Sequence, residues 1–298
     1  MKSAEKYPHD KATIDLGKLR SRTLLGATER SIASRTFISR RLTNLHSRRY
    51  ATNVVILWNR ESGYPYCIMN GNPLYDFRTA STVAVGLRCL GSSNDDVASI
   101  LGAGPVATAT ISALGALKHP PREIRMTAKR KMGFKNVKER LNTLFRKFDP
   151  ALFHRTSLIA CETIQESLAD ATIIIDVISR TTNSIIDEMM LPQNILDKAT
   201  YVDVGKEALS SSLVSRFSAY IFDNLELGYR LNSPAGEALR HGRSNIHAVK
   251  CDITQLLNRE ITANELTHGR LFTVIGVASI DAQIAEDAFK RLSKTSRK

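Results

Sequence analysis

Residue types able to do chemistry stand out first in Val97-Ala-Ser-Ile-Leu-Gly-Ala-Gly-Pro-Val-Ala107, an apolar run closed by Gly102, Gly104, Pro105, Val106 and Ala107. A strand that turns sharply into a helix leaves the helix's first N–H groups and its partial positive charge facing outward, which suits a phosphate. In that reading Gly102 permits the turn and Gly104 lets the backbone approach a pyrophosphate. Ala107 stands where a third glycine lets helix and strand pack closely. Pro105 suits a first helical turn, and Val106, Ile111, Leu114 and Leu117 recur at roughly helical spacing. The same pattern also fits an ordinary strand-to-helix turn.

Arg78 and Asp203 are the next candidates. A guanidinium can grip a carboxylate through two parallel hydrogen bonds, and an amino-acid substrate needs such a clamp to fix its reacting carbon. A surface ion pair is the alternative for Arg78. Asp203 closes the apolar run from Thr200, at the strand end where open α/β sheets bind ligands. There a carboxylate could take a proton from an amine or water, or stabilise an iminium; it could equally cap a helix. After the second strand of the same pattern stands Met126-Thr-Ala-Lys-Arg-Lys131. An NAD site usually ends that strand in Asp or Glu for the ribose hydroxyl. With Lys129 and Arg130 there instead, NADP(H) is favoured over NAD(H), unless the stretch is only a solvated basic loop.

The elements that must position these residues follow from pattern. Asn53–Trp58 and Tyr66–Met69 read as two strands joined by a turn-rich segment, and Arg78–Leu90 reads as a helix leading to Gly91. From Val97 to about Phe222 strand and helix patterns alternate, with later strands at 123–128, 171–177, 200–204 and 219–223. Such alternation implies right-handed crossovers and a parallel sheet. Phe272–Phe289 is a strand passing through Gly276 into an amphipathic helix. Before about residue 50 the pattern is basic and weakly periodic and assigns no element.

Composition sets the outer bounds. At 298 residues with 43% hydrophobic residues, two domains with sizeable cores are expected. No apolar run reaches the ~18 residues of a membrane span, so no membrane role is expected. Cys67, Cys89, Cys161 and Cys251 are scattered, as are the seven histidines, which speaks against a metal or a disulfide framework and for a reducing cytoplasm. The net charge of +13 gathers in Lys18–Arg49 and Arg125–Arg140 without the interleaved aromatics that stack bases, so no nucleic acid is expected as partner.

Taken in order, Tyr64-Pro65, Ile68-Met69, Arg78-Thr-Ala80, Gly102–Ala107, Asp203-Val-Gly-Lys-Glu207, Phe222-Asp223 and Gly276–Asp281 resemble the ornithine cyclodeaminase and mu-crystallin superfamily over residues 50 to 290. The Asp-x-x-Lys-Glu form and the hairpin look closest to the branch that makes 2,3-diaminopropionate, the N-(2-amino-2-carboxyethyl)-L-glutamate dehydrogenases. The resemblance implies an α/β fold in which a Rossmann-type doubly wound parallel sheet (89–271) is inserted into a smaller α+β substrate-binding and dimerisation domain (1–88 plus 272–298). It implies a homodimer. It further implies that Arg78 holds the substrate carboxylate and that Asp203 is catalytic. Arg35 stands nearest to a lysine of the family's substrate site, and Ser179 to a threonine near the nicotinamide. Asp281 and Asp223 are expected as helix caps beside the site, and Lys206 and Glu207 as a surface ion pair at its border. The implied reaction is hydride transfer from an amine-bearing carbon to a nicotinamide, giving an imine that water splits. Ornithine cyclodeamination, or NADP binding without turnover as in mu-crystallins, are the alternatives.

Overall fold

The computed structural model describes residues 10–16, 19–40, 50–128, 155–178, 193–205, 209–230, 233–244, 247–266 and 269–295, with isolated positions at 137, 139, 141–142, 186 and 190–191. The chain divides into two units, Met1–Arg78 with Gly276–Lys298, and Thr79–Ile275.

In the first unit β1 (Asp10–Leu16), β2 (Leu19–Ala27), β3 (Ser31–Arg40), β4 (Tyr50–Asn59) and β5 (Pro65–Asn70) pair in sequence order as a five-stranded antiparallel sheet. Alternation explains its two faces. Ala33, Arg35 and Phe37 of β3, and Asn53, Val55 and Leu57 of β4, point inward, while Ile32, Ser34 and Thr36 point out. The C-terminal helix covers the inward face, where Ala282 and Ala285 pack on Ala33, Val55 and Leu57. The small side chains permit close approach. At Gly26 any Cβ would lie 2.2 Å from the Ala278 carbonyl oxygen, so only glycine fits there.

The first fifty residues, left unassigned from sequence, thus contribute three strands. Their alternation was hidden because an inward position carries a charge, Arg35, and because the outward face carries apolar residues such as Ile14, Leu25 and Ile32. The helix expected from Arg78 begins earlier, as α1 (Gly71–Cys89), and the division between units falls inside it.

The second unit is a parallel eight-stranded sheet in the order β12-β11-β13-β10-β9-β6-β7-β8. Its strands are β6 (Val97–Leu101), β7 (Glu123–Thr127), β8 (Ser157–Ala160), β9 (Ile173–Asp176), β10 (Thr200–Asp203), β11 (Ala219–Phe222), β12 (Val249–Asp252) and β13 (Arg270–Thr273). Every residue of β6, β9, β10 and β11 is buried, as expected of central parallel strands covered on both faces. From β6 the chain winds outward through β7 and β8 in one direction and through β9 and β10 in the other. The switch point therefore lies at β6 and β9. Two strands escaped the sequence reading, β8 and β12, both only four residues long. A third correction concerns Phe272 and Thr273, expected with the C-terminal part of the other domain. They lie in β13, hydrogen-bonded between β10 and β11, where three of its four residues are buried.

Candidate functional site

At the C-terminal end of β6 the two glycines have different duties. Gly102 has φ +122°, and a Cβ there would meet Val177 Cγ2 at 3.0 Å, so the fold itself requires glycine. Gly104 has an ordinary extended backbone, φ −83° and ψ −179°, and a Cβ there would meet nothing within 4 Å. The fold makes no demand for glycine at this position. Gly104 is the N-cap of α2 (Pro105–Gly115), so no side chain satisfies the first N–H groups of the helix. Pro105 opens the helix, Val106 is half-buried, and Ala107, Ile111 and Leu114 are buried beneath it. A turn fixed by one glycine, open space in front of a second, and an uncapped helix N-terminus fit a dinucleotide pyrophosphate. β7 ends in Met126 and the buried Thr127, without a carboxylate. Lys129, Arg130 and Ser179 lie outside the described residues, as do Lys206 and Glu207.

In the first unit Arg35, Arg78 and Asp281 converge. Asp281 sits in the first turn of α3 (Ala278–Thr295), where it was expected as a cap. Its carboxylate instead accepts from Arg78 Nε at 2.8 Å on one oxygen and from Arg35 Nη1 at 3.1 Å on the other. All three side chains are buried, Arg35 to 2% exposure. A buried guanidinium costs several kcal/mol in lost hydration unless it is paired and hydrogen-bonded, and the surroundings supply both. Arg35 Nε donates to Asn53 Oδ1 at 3.1 Å, and its guanidinium lies 5.1 Å from the Phe37 ring centroid and 4.7 Å from that of Tyr75. The same Tyr75 ring lies 5.2 Å from the Arg78 guanidinium. Gly276 makes room for the pair: a Cβ there would strike Arg78 Nη1 at 2.6 Å. Asp76, half-buried on α1, has its carboxyl pushed up to about 6 by burial, with the Arg35 charge acting in the opposite direction.

In the second unit Asp203 is the last residue of β10, fully buried, and stands in register with Asp176, the last residue of β9. The short helix Ser211–Val214 that follows is capped by Ser210. Asp176 Oδ1 accepts from the Ile178 N–H at 2.8 Å. Burial, followed by the Asp203 charge, holds the Asp176 carboxyl well above the usual carboxylate range. Asp176 also pairs with Leu101, so its strand adjoins that of the glycine turn, and Asp203 stands one strand further on. Asp223, the other expected cap, accepts from the Ile275 N–H at 2.9 Å and so fastens β11 to the segment after β13.

The structure thus brings Arg35 and Arg78 together on Asp281, and sets Asp203 beside Asp176, whose strand adjoins the glycine turn. Sequence reasoning missed Asp176, Tyr75 and Asn53, and read Gly276 only as a strand-to-helix passage and part of a family motif. Asp176 left a signal: like Asp203 it is a carboxylate ending an apolar strand, Ile173-Ile-Ile-Asp176. Among the described residues no group of three or more His, Cys, Asp or Glu could hold a metal ion, and no helix is long and apolar enough to cross a membrane.

No curated protein is similar to the chain at a significant level. Among solved structures, the Thermococcus litoralis Δ1-pyrroline-2-carboxylate reductase, in complex with NADH and L-proline, superposes with a TM-score of 0.79 at 16% identity, covering 99% of this chain and 93% of that one. A probable ornithine cyclodeaminase from Bordetella pertussis Tohama I gives 0.78 at 15% identity, covering 98% and 88%. The iminosuccinate reductase of Paracoccus denitrificans, in complex with NAD+, gives 0.71 at 14% identity, covering 98% and 87%. At these identities the likeness speaks for the fold. The family is settled by sequence: the model of the ornithine cyclodeaminase/mu-crystallin family matches residues 37–225, well over half of the chain, and the chain belongs to that family.

Proposed function

We propose that this chain is a nicotinamide-dependent oxidoreductase acting on the C–N bond of an amino acid or amino-acid conjugate. The observation that carries this reading is the glycine turn. The fold explains Gly102 but leaves a glycine at 104 unexplained, and a closely approaching pyrophosphate would account for it. Solved structures of the same fold bind NADH or NAD+, which supports the class of cofactor. The missing carboxylate at the end of β7, with Lys129 and Arg130 following, supports the 2′-phosphate form, NADP(H).

When bound, the cofactor supplies the hydride chemistry. The protein's own residues orient and protonate. Two permanent cations, Arg35 and Arg78, share one fully buried carboxylate, and a substrate carboxylate is the natural further anion for that cluster. Asp203 takes the proton that leaves the amine nitrogen as the imine forms, or steadies the iminium. Within this class the 2,3-diaminopropionate-type dehydrogenase is the reading we favour, on the Asp203–Glu207 motif. A cyclodeaminase is the nearest alternative.

The burial of both guanidiniums favours a second role for the same residues, a structural clasp holding α1 and α3 to the antiparallel sheet. In that case the protein binds NADP(H) without turnover. A panel of amino acids and imines offered to the purified protein with cofactor separates the two, read at the nicotinamide absorbance band. Turnover is expected, with Asp203→Asn lowering kcat by roughly 10²-fold while binding is retained. No absorbance change across the panel, with cofactor bound, leaves the clasp reading standing.

A homodimer is part of the proposal. Leu25, Ser34, Ile56 and Ile68 form one row across the outward face of the antiparallel sheet, with Ile14 and Ile32 on the same face. Of these, Ile14, Leu25, Ile32 and Ile68 are large exposed hydrophobics. A second copy would cover them. Light scattering of the wild type against Ile68→Lys tests it, with the variant expected to dissociate.

A further inference from the structure

Arg35 is anchored through two of its nitrogens and open at the third. Its Nε donates to Asn53 Oδ1 and its Nη1 to Asp281 Oδ2, both at 3.1 Å, while Nη2 meets no acceptor among the described residues. The side chain is buried, so a donor left over there has little water to turn to. The acceptor at Nε is telling in a second way. A carboxylate would hold a buried guanidinium more strongly than a neutral amide does, yet position 53 carries an amide. Its surroundings fix it. Asn53 Nδ2 donates to Asn72 Oδ1 at 2.9 Å, which leaves Oδ1 as the atom that faces Arg35, and Asn72 is itself held by its N–H donating to Asn70 Oδ1 at 3.0 Å. Gly71 makes the room, since a Cβ there would lie 2.3 Å from Asn53 Oδ1. Arg35, Arg78 and Asp281 therefore remain two positive charges to one negative. Asp76, half-buried on α1, hydrogen-bonds to neither guanidinium.

We infer that Asn53 is a positioning residue that sets ligand specificity: its neutral amide holds Arg35 with Nη2 left for a ligand carboxylate, and it leaves the three-residue cluster one positive charge in excess, which selects carboxylates over uncharged ligands of the same shape. A bond from Nη2 to a carboxylate oxygen joins two opposite charges, and the excess charge, buried at low dielectric, is relieved when an anion joins the cluster. An aspartate at 53 would supply that anion permanently. It would steady the empty protein and weaken the ligand, so stability and binding move in opposite directions. The inference rests on the proposed function for the ligand being an amino acid or the 2-oxo acid made from it.

The test uses the full chain and pyruvate, the smallest 2-oxo acid that splitting such an imine gives, with methyl pyruvate as its uncharged counterpart. Titration calorimetry of the wild type should find pyruvate bound at least about 10-fold more tightly than methyl pyruvate. Asn53→Asp keeps an acceptor for Arg35 Nε and adds the missing charge. In that variant pyruvate should weaken about 10-fold or more, methyl pyruvate should stay within about twofold, and Tm should match or exceed that of the wild type. A residue that only braced the fold would change Tm and leave the preference for pyruvate intact. In Asn72→Ala, at an exposed position, the Asn53 amide loses the acceptor that orients it, and pyruvate should weaken about threefold. A wild type that binds both probes equally, or unchanged pyruvate affinity in folded Asn53→Asp, overturns the inference; should Asn53→Asp fail to fold, unchanged affinity in Asn72→Ala does the same. If pyruvate selection depends on Asn53 but no amino acid is turned over, the site stands and the oxidoreductase reading falls. If amino acids are turned over and Asn53→Asp keeps the wild-type KM, that reading stands and this inference falls.

Discussion

Replacing Gly104 by valine separates the demands of the fold from those of a ligand. A valine accepts φ −83° and ψ −179° without strain, because these are extended angles, and its side chain enters space where no atom lies within 4 Å of the Cβ. Folding should be nearly unaffected, within about 1 kcal/mol, since the entropy gained by removing glycine opposes a small loss at the helix cap. Gly102→Ala is the control with the opposite outcome. At φ +122° and 3.0 Å from Val177 Cγ2 it should destabilise by about 1–3 kcal/mol, or roughly 2–10 °C in Tm. For ligand binding the order reverses. If a pyrophosphate occupies the space before Gly104, three branched carbons there should raise the Kd for NADPH at least ~100-fold, worth about 2.7 kcal/mol. Titration calorimetry measures the affinity directly. Scanning calorimetry gives an independent reading: wild type at a hundredfold excess of ligand over Kd should gain about 2.7 kcal/mol of stability, and Gly104→Val should gain almost none. A folded Gly104→Val protein that binds NADPH within a few-fold of wild type would refute the pyrophosphate assignment.

The other expectations bear on specificity, charge and packing. NADPH should bind more tightly than NADH, and Lys129→Ala with Arg130→Ala should narrow the gap; equal wild-type affinities would remove the basic stretch from the argument. Arg78→Ala should chiefly raise substrate KM while leaving cofactor affinity near wild type, and a fall in cofactor affinity instead would assign Arg78 elsewhere. Asp281→Asn should destabilise by about 3–5 kcal/mol in denaturant titration, because it leaves two buried guanidiniums without their shared carboxylate; a loss under ~1 kcal/mol would contradict the clasp geometry. Asp76 becomes neutral below about 6, so it then adds no negative charge beside Arg35. Carboxylate substrates should therefore show a KM that falls as pH drops through that value, and Asp76→Asn should flatten the dependence. Linkage has the matching sign: a raised native value means that Asp76 favours folding most below about 4, an advantage lost as pH rises to about 6.

Much of the fold was legible in residue order because it is written in local physics. Val97–Leu101 is apolar throughout, as a strand buried on both faces must be, and the glycines and Pro105 after it mark a turn into a helix whatever surrounds them. The hairpin of β4 and β5 and the strand-to-helix passage at Gly276 were readable for the same reason. Tertiary structure alone decided what depends on partners distant in sequence. Arg35 breaks the alternation of β3, so the pattern concealed that strand; only the carboxylate of Asp281, 246 residues away, makes a charge at an inward position tolerable. Asp281 reads locally as a helix cap, and its real partners come from β3 and α1. The Asp176–Asp203 pair is likewise invisible along the chain, since parallel pairing sets its register through crossovers that sequence periodicity does not specify. The sequence determined which residues could be buried, turned or charged, and the fold decided which charges meet, because the energy of a buried charge is set by its neighbours in space.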